Sequence, residues 1–389
     1  MLTDSHTPKT RVLYLNHSGQ MSGAEASLRS LLRGIRQSDA PIEPILALPG
    51  EGPFSEILRD EGYHVTLAPL RRLNRPRGVI EGLSCILHVM QTAPHICRLA
   101  DGSGAHLIHS NTTTAHLVGG VAAQKTGKPA IWHCRDLVSL ARIAPQLAGK
   151  ATKIIAISEC VRAQLEKDGV PGEKIVVVPN GLDTDEWRPR EKSQLRQTLG
   201  IGSEKFLFGV VGQLVPWKNH AAFIEAAAKI VASGEAPNAH FCILGGDLWG
   251  EQNSYVGELR ALVKKHDLMP HFNFIPNQSD AVDAMSALDC LVHPALDEPF
   301  GRVLMEAMAL QKPVIAMNQN GPREIITHQS DGLLVAPDNN DALAEAMLEV
   351  LTHPALREHL AANSRKTVEE RFHALEHATK IGELYKSLA

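Results

Sequence analysis

Apolar residues in this chain come in short blocks, and the blocks alternate with segments of helical period. In the first half the blocks are Val12–Leu15, Ile45–Leu48, His64–Leu67, His106–His109, Ala130–His133, Lys153–Ile157 and Ile175–Val178. In the second half they are Phe206–Val211, His240–Leu244, Phe272–Ile275, Cys290–His293, Pro313–Ala316 and Leu333–Val335. Runs this short and this apolar predict strands covered on both faces, as in a parallel sheet. The stretches between them are long enough for crossover helices. Ala222–Val231 shows the period, with Phe223, Ala227, Ile230 and Val231 on one stripe. Repeated strand–helix units predict an α/β protein with two doubly wound sheets.

The rhythm breaks between Asp183 and Glu204, where Trp187-Arg188-Pro189-Arg190 and a charged stretch intervene. A polar, proline-bearing segment between two strand–helix sets predicts a linker. The expected division is a Rossmann-like domain over 1–186 and a second over 187–365. A helical tail, 366–389, has no strand after it and is expected to pack back on the first domain. A length of 389 residues fits two cores better than one.

Bulk properties narrow the function. A hydrophobic content of 44% and a charged content of 21% are those of a globular protein. A net charge of -4 argues against a general nucleic-acid binder. Met1 to Arg11 is polar and the first apolar block is too short for a signal peptide. No run reaches the roughly 18 apolar residues of a membrane span. Cys85, Cys97, Cys134, Cys160, Cys242 and Cys290 are scattered without a C-x-x-C pair, which predicts reduced thiols and a cytoplasmic protein. The 19 histidines show no ligand spacing, so no metal is expected.

Open α/β sheets bind ligands beyond the carboxyl ends of their strands, so the loops there hold the candidate chemistry. The most informative is Glu298-Pro299-Phe300-Gly301-Arg302-Val303-Leu304-Met305-Glu306. It reads as loop into helix. Glu298 falls at the mouth, Gly301 and Arg302 at the helix start, and Glu306 one to two turns inside. Free N–H groups at a helix start favour an anion, and carboxylates accept hydrogen bonds from hydroxyls. That combination suits a sugar joined to a nucleoside diphosphate. After the first strand, His17-Ser18-Gly19-Gln20-Met21-Ser22-Gly23-Ala24-Glu25 is a flexible loop feeding a helix. After Val211, Gly212-Gln213-Leu214-Val215-Pro216-Trp217-Lys218 brings a lysine within reach of a diphosphate. Gly245-Gly246-Asp247 and Asn320-Gly321-Pro322-Arg323-Glu324 are further glycine turns. Asp183-Thr184-Asp185 has the form of a metal-binding pair, but its place at the domain junction favours a turn or hinge. Arg71, Arg72, Arg75 and Arg77 precede the apolar stretch Val79–Met90. A solvated loop before a core helix is the expectation there, and contact with an anionic lipid is the alternative.

Gly212 to Lys218, Glu298 to Glu306, Gly321 to Glu324 and Asp331-Gly332-Leu333-Leu334-Val335 occur in the order found in retaining glycosyltransferases of family 4. The chain resembles that family, and the resemblance implies the GT-B fold, two Rossmann-like domains whose sheets face a central cleft. The first half agrees through Gly23-Ala24-Glu25, His109-Ser110-Asn111, Ile157-Ser158-Glu159 and Val178-Pro179-Asn180-Gly181-Leu182-Asp183. The resemblance implies a hexosyltransferase-like enzyme acting in glycan, polysaccharide or glycolipid synthesis. Its donor would be a UDP- or GDP-sugar, and its acceptor a sugar or lipid-linked glycan, with peripheral membrane association. No cofactor or metal is implied. Lys218 would contact the diphosphate, Glu306 the ribose and Glu298 the sugar hydroxyls. Backbone at Phe300, Gly301, Arg302 and Val303 would cradle the donor, Gly212 and Gln213 would line it, and Gly23 would admit the phosphates. His133 would stand near the transferred sugar. Gln213 departs from the arginine often found there, and so puts a two-cation clamp in doubt. A nucleotide-sugar epimerase of the same architecture, or a binding protein without transfer, stays open.

Overall fold

All thirteen apolar blocks become strands in the computed structural model, which describes residues 9–73, 78–190, 193–247, 250 and 253–388. In the first half they are β1 (Thr10–Leu15), β2 (Ile42–Leu48), β3 (Val65–Leu67), β4 (Leu107–Ser110), β5 (Ala130–Cys134), β6 (Lys153–Ala156) and β7 (Ile175–Val177). They form one parallel sheet in the order β3-β2-β1-β4-β5-β6-β7. In the second half they are β8 (Phe206–Val211), β9 (Ala239–Leu244), β10 (Phe272–Ile275), β11 (Cys290–His293), β12 (Val314–Met317) and β13 (Leu333–Val335). These pair in parallel as β10-β9-β8-β11-β12-β13. Each sheet is doubly wound, and strand order reverses between β1 and β4 in one and between β8 and β11 in the other. Crevices at such reversals are where these sheets take ligands.

Burial on both faces accounts for the apolar blocks. Side chains alternate along a strand. Along β1, Val12 and Tyr14 enter one layer with Leu28, Leu31 and Leu32, while Leu13 and Leu15 enter the other with Ile108 and Ala122. In the second half, Phe208 and Val210 pack with Phe223, Phe241 and Met347. None of the six cysteines is in a disulfide.

The chain divides into two compact units. The first runs to Asp183 and takes the chain up again from Ala374; the second is Thr184–His373. The sequence rhythm placed these divisions at 186 and 365. The tail is two helices, and the break between them sets the second division. Pro354–Arg371 stays in the second unit, where the Phe372 ring meets Phe300 with centroids 5.9 Å apart. Ala374–Lys386 belongs to the first unit and packs on the helix Gly23–Gln37. A Cβ at Gly34 would stand 2.3 Å from the Ala374 carbonyl oxygen, so only glycine permits this approach.

One element departs from its expected role. The helix Val79–Gly102 was expected as core, yet only its second half is anchored, through Thr92, Ala93, Ile96 and Ala100. Val79, Ile80, Leu83, Ile86, Leu87 and Met90 face outward. Of the arginines before it, Arg71 and Arg72 are exposed, and Arg75 and Arg77 lie outside the described residues.

Candidate active site

The second unit builds its site on the two strands flanking its reversal. β8 ends at Val211, and Gly212 turns the chain off the sheet with φ 145°. Gly245, after β9, has φ 147° and approaches so closely that a Cβ there would stand 1.8 Å from the Gly212 carbonyl oxygen. The chain then passes half-buried Gln213 and forms the short turn Pro216–Lys218. Asn219, at φ 54°, starts the helix His220–Ser233. The Lys218 ammonium lies 4.3 Å from the centroid of the Trp217 ring.

From β11 come a histidine and a carboxylate. His293 is the last residue of the strand and is buried. Glu298 Oε2 accepts from Lys218 Nζ at 2.5 Å and from His293 Nε2 at 3.0 Å. The side chains of Lys218 and Glu298 are 14% and 10% exposed. Burial opposes ionisation of Glu298, but Lys218 and the His293 hydrogen bond outweigh it and hold the carboxyl well below its ordinary range. His293 is itself pushed down by burial and by Lys218. Lys218 is the larger of the two influences that stabilise the Glu298 carboxylate, and the His293 hydrogen bond adds to it. Among the described residues Oε1 of Glu298 takes no hydrogen bond, which leaves it to accept from a ligand hydroxyl.

A second clamp fixes the loop after Glu298. Gly321 N donates to the Glu298 carbonyl oxygen at 3.0 Å, and Asn320 Nδ2 donates to that of Leu296 at 2.9 Å. A Cβ at Gly321 would lie 2.3 Å from Phe300 Cα. Phe300 is buried, and Gly301 takes φ 105° to begin the helix Arg302–Ala309, with Arg302 and Val303 half-buried in its first turn. Arg302 Nε donates to Glu306 Oε1 at 2.8 Å. Burial raises the Glu306 carboxyl above its ordinary value, and Arg302 opposes the rise. The second unit thus gathers Gly212, Gln213, Lys218, Glu298, Phe300, Gly301, Arg302, Val303 and Glu306. Arg302 is engaged along its own helix, pairing with a carboxylate.

The other two candidates lie in the first unit. Gly23 is the first residue of its helix, and a Cβ there would meet no atom within 4 Å. His133 does not sit at an open strand end. It precedes Cys134, the last residue of β5, and is fully buried. It lies 3.1 Å from His109 Nε2, and His109 reaches the Tyr385 hydroxyl at 2.6 Å. Burial and the nearby Arg135 push the His133 imidazole well below its usual range.

Sequence reasoning missed two features. One is His293, whose only signal was a polar residue closing an apolar run. The other is a polar network at the carboxyl ends of β1, β4, β5 and β7. Buried Glu25 accepts from Asn16 Nδ2 at 2.9 Å and from the Ser22 hydroxyl. Asn16 Oδ1 accepts from Asn111 Nδ2 at 2.9 Å. Arg135 donates to Asn111 Oδ1 at 2.8 Å and to Asn180 Oδ1 at 2.6 Å. Asn16 and Asn111 each follow the last residue of a strand beside the reversal, and that position was the readable signal. Asp183 pairs with Arg33 at 3.2 Å, and Asp185 with Arg188, so both aspartates hold arginines.

Comparison with known proteins agrees with this architecture. Residues 191–367 match the family described as Glycosyl transferases group 1, and residues 21–186 match Glycosyltransferase Family 4. The structure of Anabaena Alr3699/HepE in complex with UDP-glucose has a TM-score of 0.83 and 26% identity, covering 97% of this chain and all of that one. The Escherichia coli UDP-Gal:alpha-D-GlcNAc-diphosphoundecaprenol alpha-1,3-galactosyltransferase is 27% identical over 72% of this chain and 74% of its own length. A D-inositol 3-phosphate glycosyltransferase of Rhodococcus opacus is 25% identical over 68% of this chain and 63% of its own length. The two family matches follow one another along nearly the whole sequence and meet at the junction of the two units: this chain is a GT-B glycosyltransferase of the group 1, family 4 type.

Proposed function

We propose that the chain moves a sugar from UDP to a hydroxyl of a glycan or lipid-linked glycan, with retention of anomeric configuration and without a metal. The observation that carries this reading is the buried Glu298, held by Lys218 at 2.5 Å and His293 at 3.0 Å, with Glu306 on the next helix. Both carboxylates follow β11, one of the two strands at the sheet reversal. Relatives support the choice of substrates: one similar structure binds UDP-glucose, and one similar enzyme is named for a UDP-Gal donor and a diphosphoundecaprenol acceptor.

Glu298 Oε1 accepts from hydroxyls of the donor sugar, and Glu306 accepts from the ribose. Backbone N–H groups at Gly301, Arg302 and Val303 meet the phosphates at the helix start. For Gly23 the family resemblance implies close approach of a phosphate, and a Cβ there would meet no atom within 4 Å. The bond from the anomeric carbon to the phosphate oxygen breaks as the acceptor oxygen attacks on the same face. The acceptor proton passes to a phosphate oxygen of the departing UDP. Lys218 stabilises the charge that develops there, and the protein's remaining share is positioning. His133 is interior in this structure, where its Nδ1 lies 3.1 Å from His109 Nε2 and 3.4 Å from the Arg135 guanidinium.

Thermal shift tests this reading. UDP, with or without EDTA, should raise Tm more than GDP or ADP. Glu306→Ala should abolish the UDP shift. Glu298→Gln should keep the shift and lose transfer. An absent UDP shift, or one that survives Glu306→Ala, overturns the proposal.

A further inference from the structure

The first half of the helix Val79–Gly102 presents a continuous apolar face to the outside. Val79, Ile80, Leu83, Ile86, Leu87 and Met90 are 54–84% exposed. At 100° per residue all six fall within an arc of about 120°, the width by which a helix normally faces a core. Here no core meets it. Pro94 follows this face, and the buried positions Thr92, Ala93, Ile96 and Ala100 anchor only the second half of the helix. Single exposed leucines need no explanation, but half of the exposed large hydrophobics of the described chain fall on this one stripe.

The charges beside the stripe select its occupant. The chain carries a net charge of -4, yet residues 71–98 hold five arginines and one glutamate. Arg71 reaches back to the helix and donates to Ser84 Oγ at 3.4 Å, and by the same angular count Ser84 lies about 40° past Ile80, at the border of the stripe. The one acidic residue, Glu81, falls on the opposite side of the helix by the same angular count. An apolar face with a basic rim is complementary to a bilayer of anionic phospholipid, with acyl chains for the leucines and phosphates for the arginines. A second copy of this chain fits less well, because two arginine-rich rims would meet at one interface. The exposed half-helix, at about 1.5 Å per residue, is also far too short to span a bilayer and suits one lying in its surface.

We infer that residues 79–90, with Arg71 and Arg72 at their edge, dock the protein flat on an anionic membrane surface. The docking itself is independent of the transfer reaction. Its purpose, bringing the enzyme to a lipid-held acceptor, rests on the acceptor class proposed above.

The test is co-sedimentation of the full chain with vesicles. Wild type should bind vesicles of phosphatidylglycerol mixed equally with phosphatidylcholine at least tenfold more tightly than phosphatidylcholine alone, and high salt should reduce the difference. Leu83→Ser/Ile86→Ser/Leu87→Ser should lose binding at least tenfold with Tm unchanged, since the three positions are exposed. Arg71→Gln/Arg72→Gln, outside the helix, should weaken binding to the anionic vesicles only, and it decides the matter if the triple variant fails to fold. Equal binding of wild type and the arginine variant overturns the inference. So does failure to bind vesicles, and so does a concentration-dependent dimer that the serine variant abolishes in their absence. The UDP thermal shift, measured on the same preparations, reports the donor site separately, so failure of either idea is visible without the other.

Discussion

Removing the ammonium of Lys218 is the sharpest perturbation the site allows. Lys218→Met keeps most of the side-chain volume and leaves Glu298, 10% exposed, with the His293 hydrogen bond alone. Breaking a buried pair by removing one partner costs about 3–5 kcal/mol. Both side chains keep some exposure, so water can reach the gap and a loss of about 3 kcal/mol, the lower end of that range, is expected. For a unit of this size that lowers Tm by about 6–12 °C. The pH dependence follows from the direction of the shift. Glu298 is depressed below its unfolded value of about 4.3. Its contribution is therefore fully present above that pH and is lost as pH falls through the depressed value. The gap between wild type and Lys218→Met should be full at pH 7.5 and narrower at pH 4.

Calorimetry on a double-mutant cycle measures this. Glu298→Gln removes the charge and retains the shape. The double variant Lys218→Met/Glu298→Gln leaves no buried charge unpaired and should be more stable than Lys218→Met alone. A coupling of at least about 1.5 kcal/mol is expected. Additivity within about 0.5 kcal/mol, or a gap that does not change with pH, would refute the reasoning.

Two glycines should behave oppositely. Gly23→Ala places a methyl where no protein atom lies within 4 Å, so Tm should hold while kcat/KM for transfer falls at least tenfold; unchanged kinetics would remove Gly23 from the donor site. Gly34→Val drives its Cβ to within 2.3 Å of the Ala374 carbonyl oxygen. It should cost about 2–3 kcal/mol by urea unfolding as the helix Ala374–Lys386 is pushed off.

The strands were legible because parallel sheets bury both faces. A block such as Phe206–Val211 therefore reads as apolar without any knowledge of its neighbours. The site was half legible. Gly212, Gly301 and Gly321 announce backbone turns by residue type, and Glu298 and Glu306 stand eight apart on one loop and helix. The junction itself was not legible, because Lys218 and Glu298 are 80 residues apart and only the strand order brings β8 beside β11. His133 misled for a related reason. A histidine near the end of an apolar run reads as facing out, but its hydrogen bonds to His109 and the Arg135 network keep it inside. The face at Val79–Met90 misled in the other direction. Helical period marks which residues share a side and says nothing about whether a core exists to receive them.

Gln213 raises the question of how a leaving diphosphate would be neutralised, and the two ion pairs of the second unit bear on it. Lys218 is held by Glu298 and Arg302 by Glu306, so each cation is kept close to the loops after β8 and β11 by a carboxylate that has a second task under the proposed function. When sugar and ribose hydroxyls donate to those carboxylates, they take over part of the hydrogen bonding that the cations supply. Glu306 is the softer of the two, since burial already raises its carboxyl above the ordinary value, whereas Glu298 is driven firmly ionised. An ammonium retains donors of its own while holding Glu298, because it has three. A charge at Lys218 and a second at Arg302 in the first turn of the next helix would together supply the two positive charges that a lysine–arginine clamp otherwise provides, with Gln213 contributing a hydrogen bond and no charge.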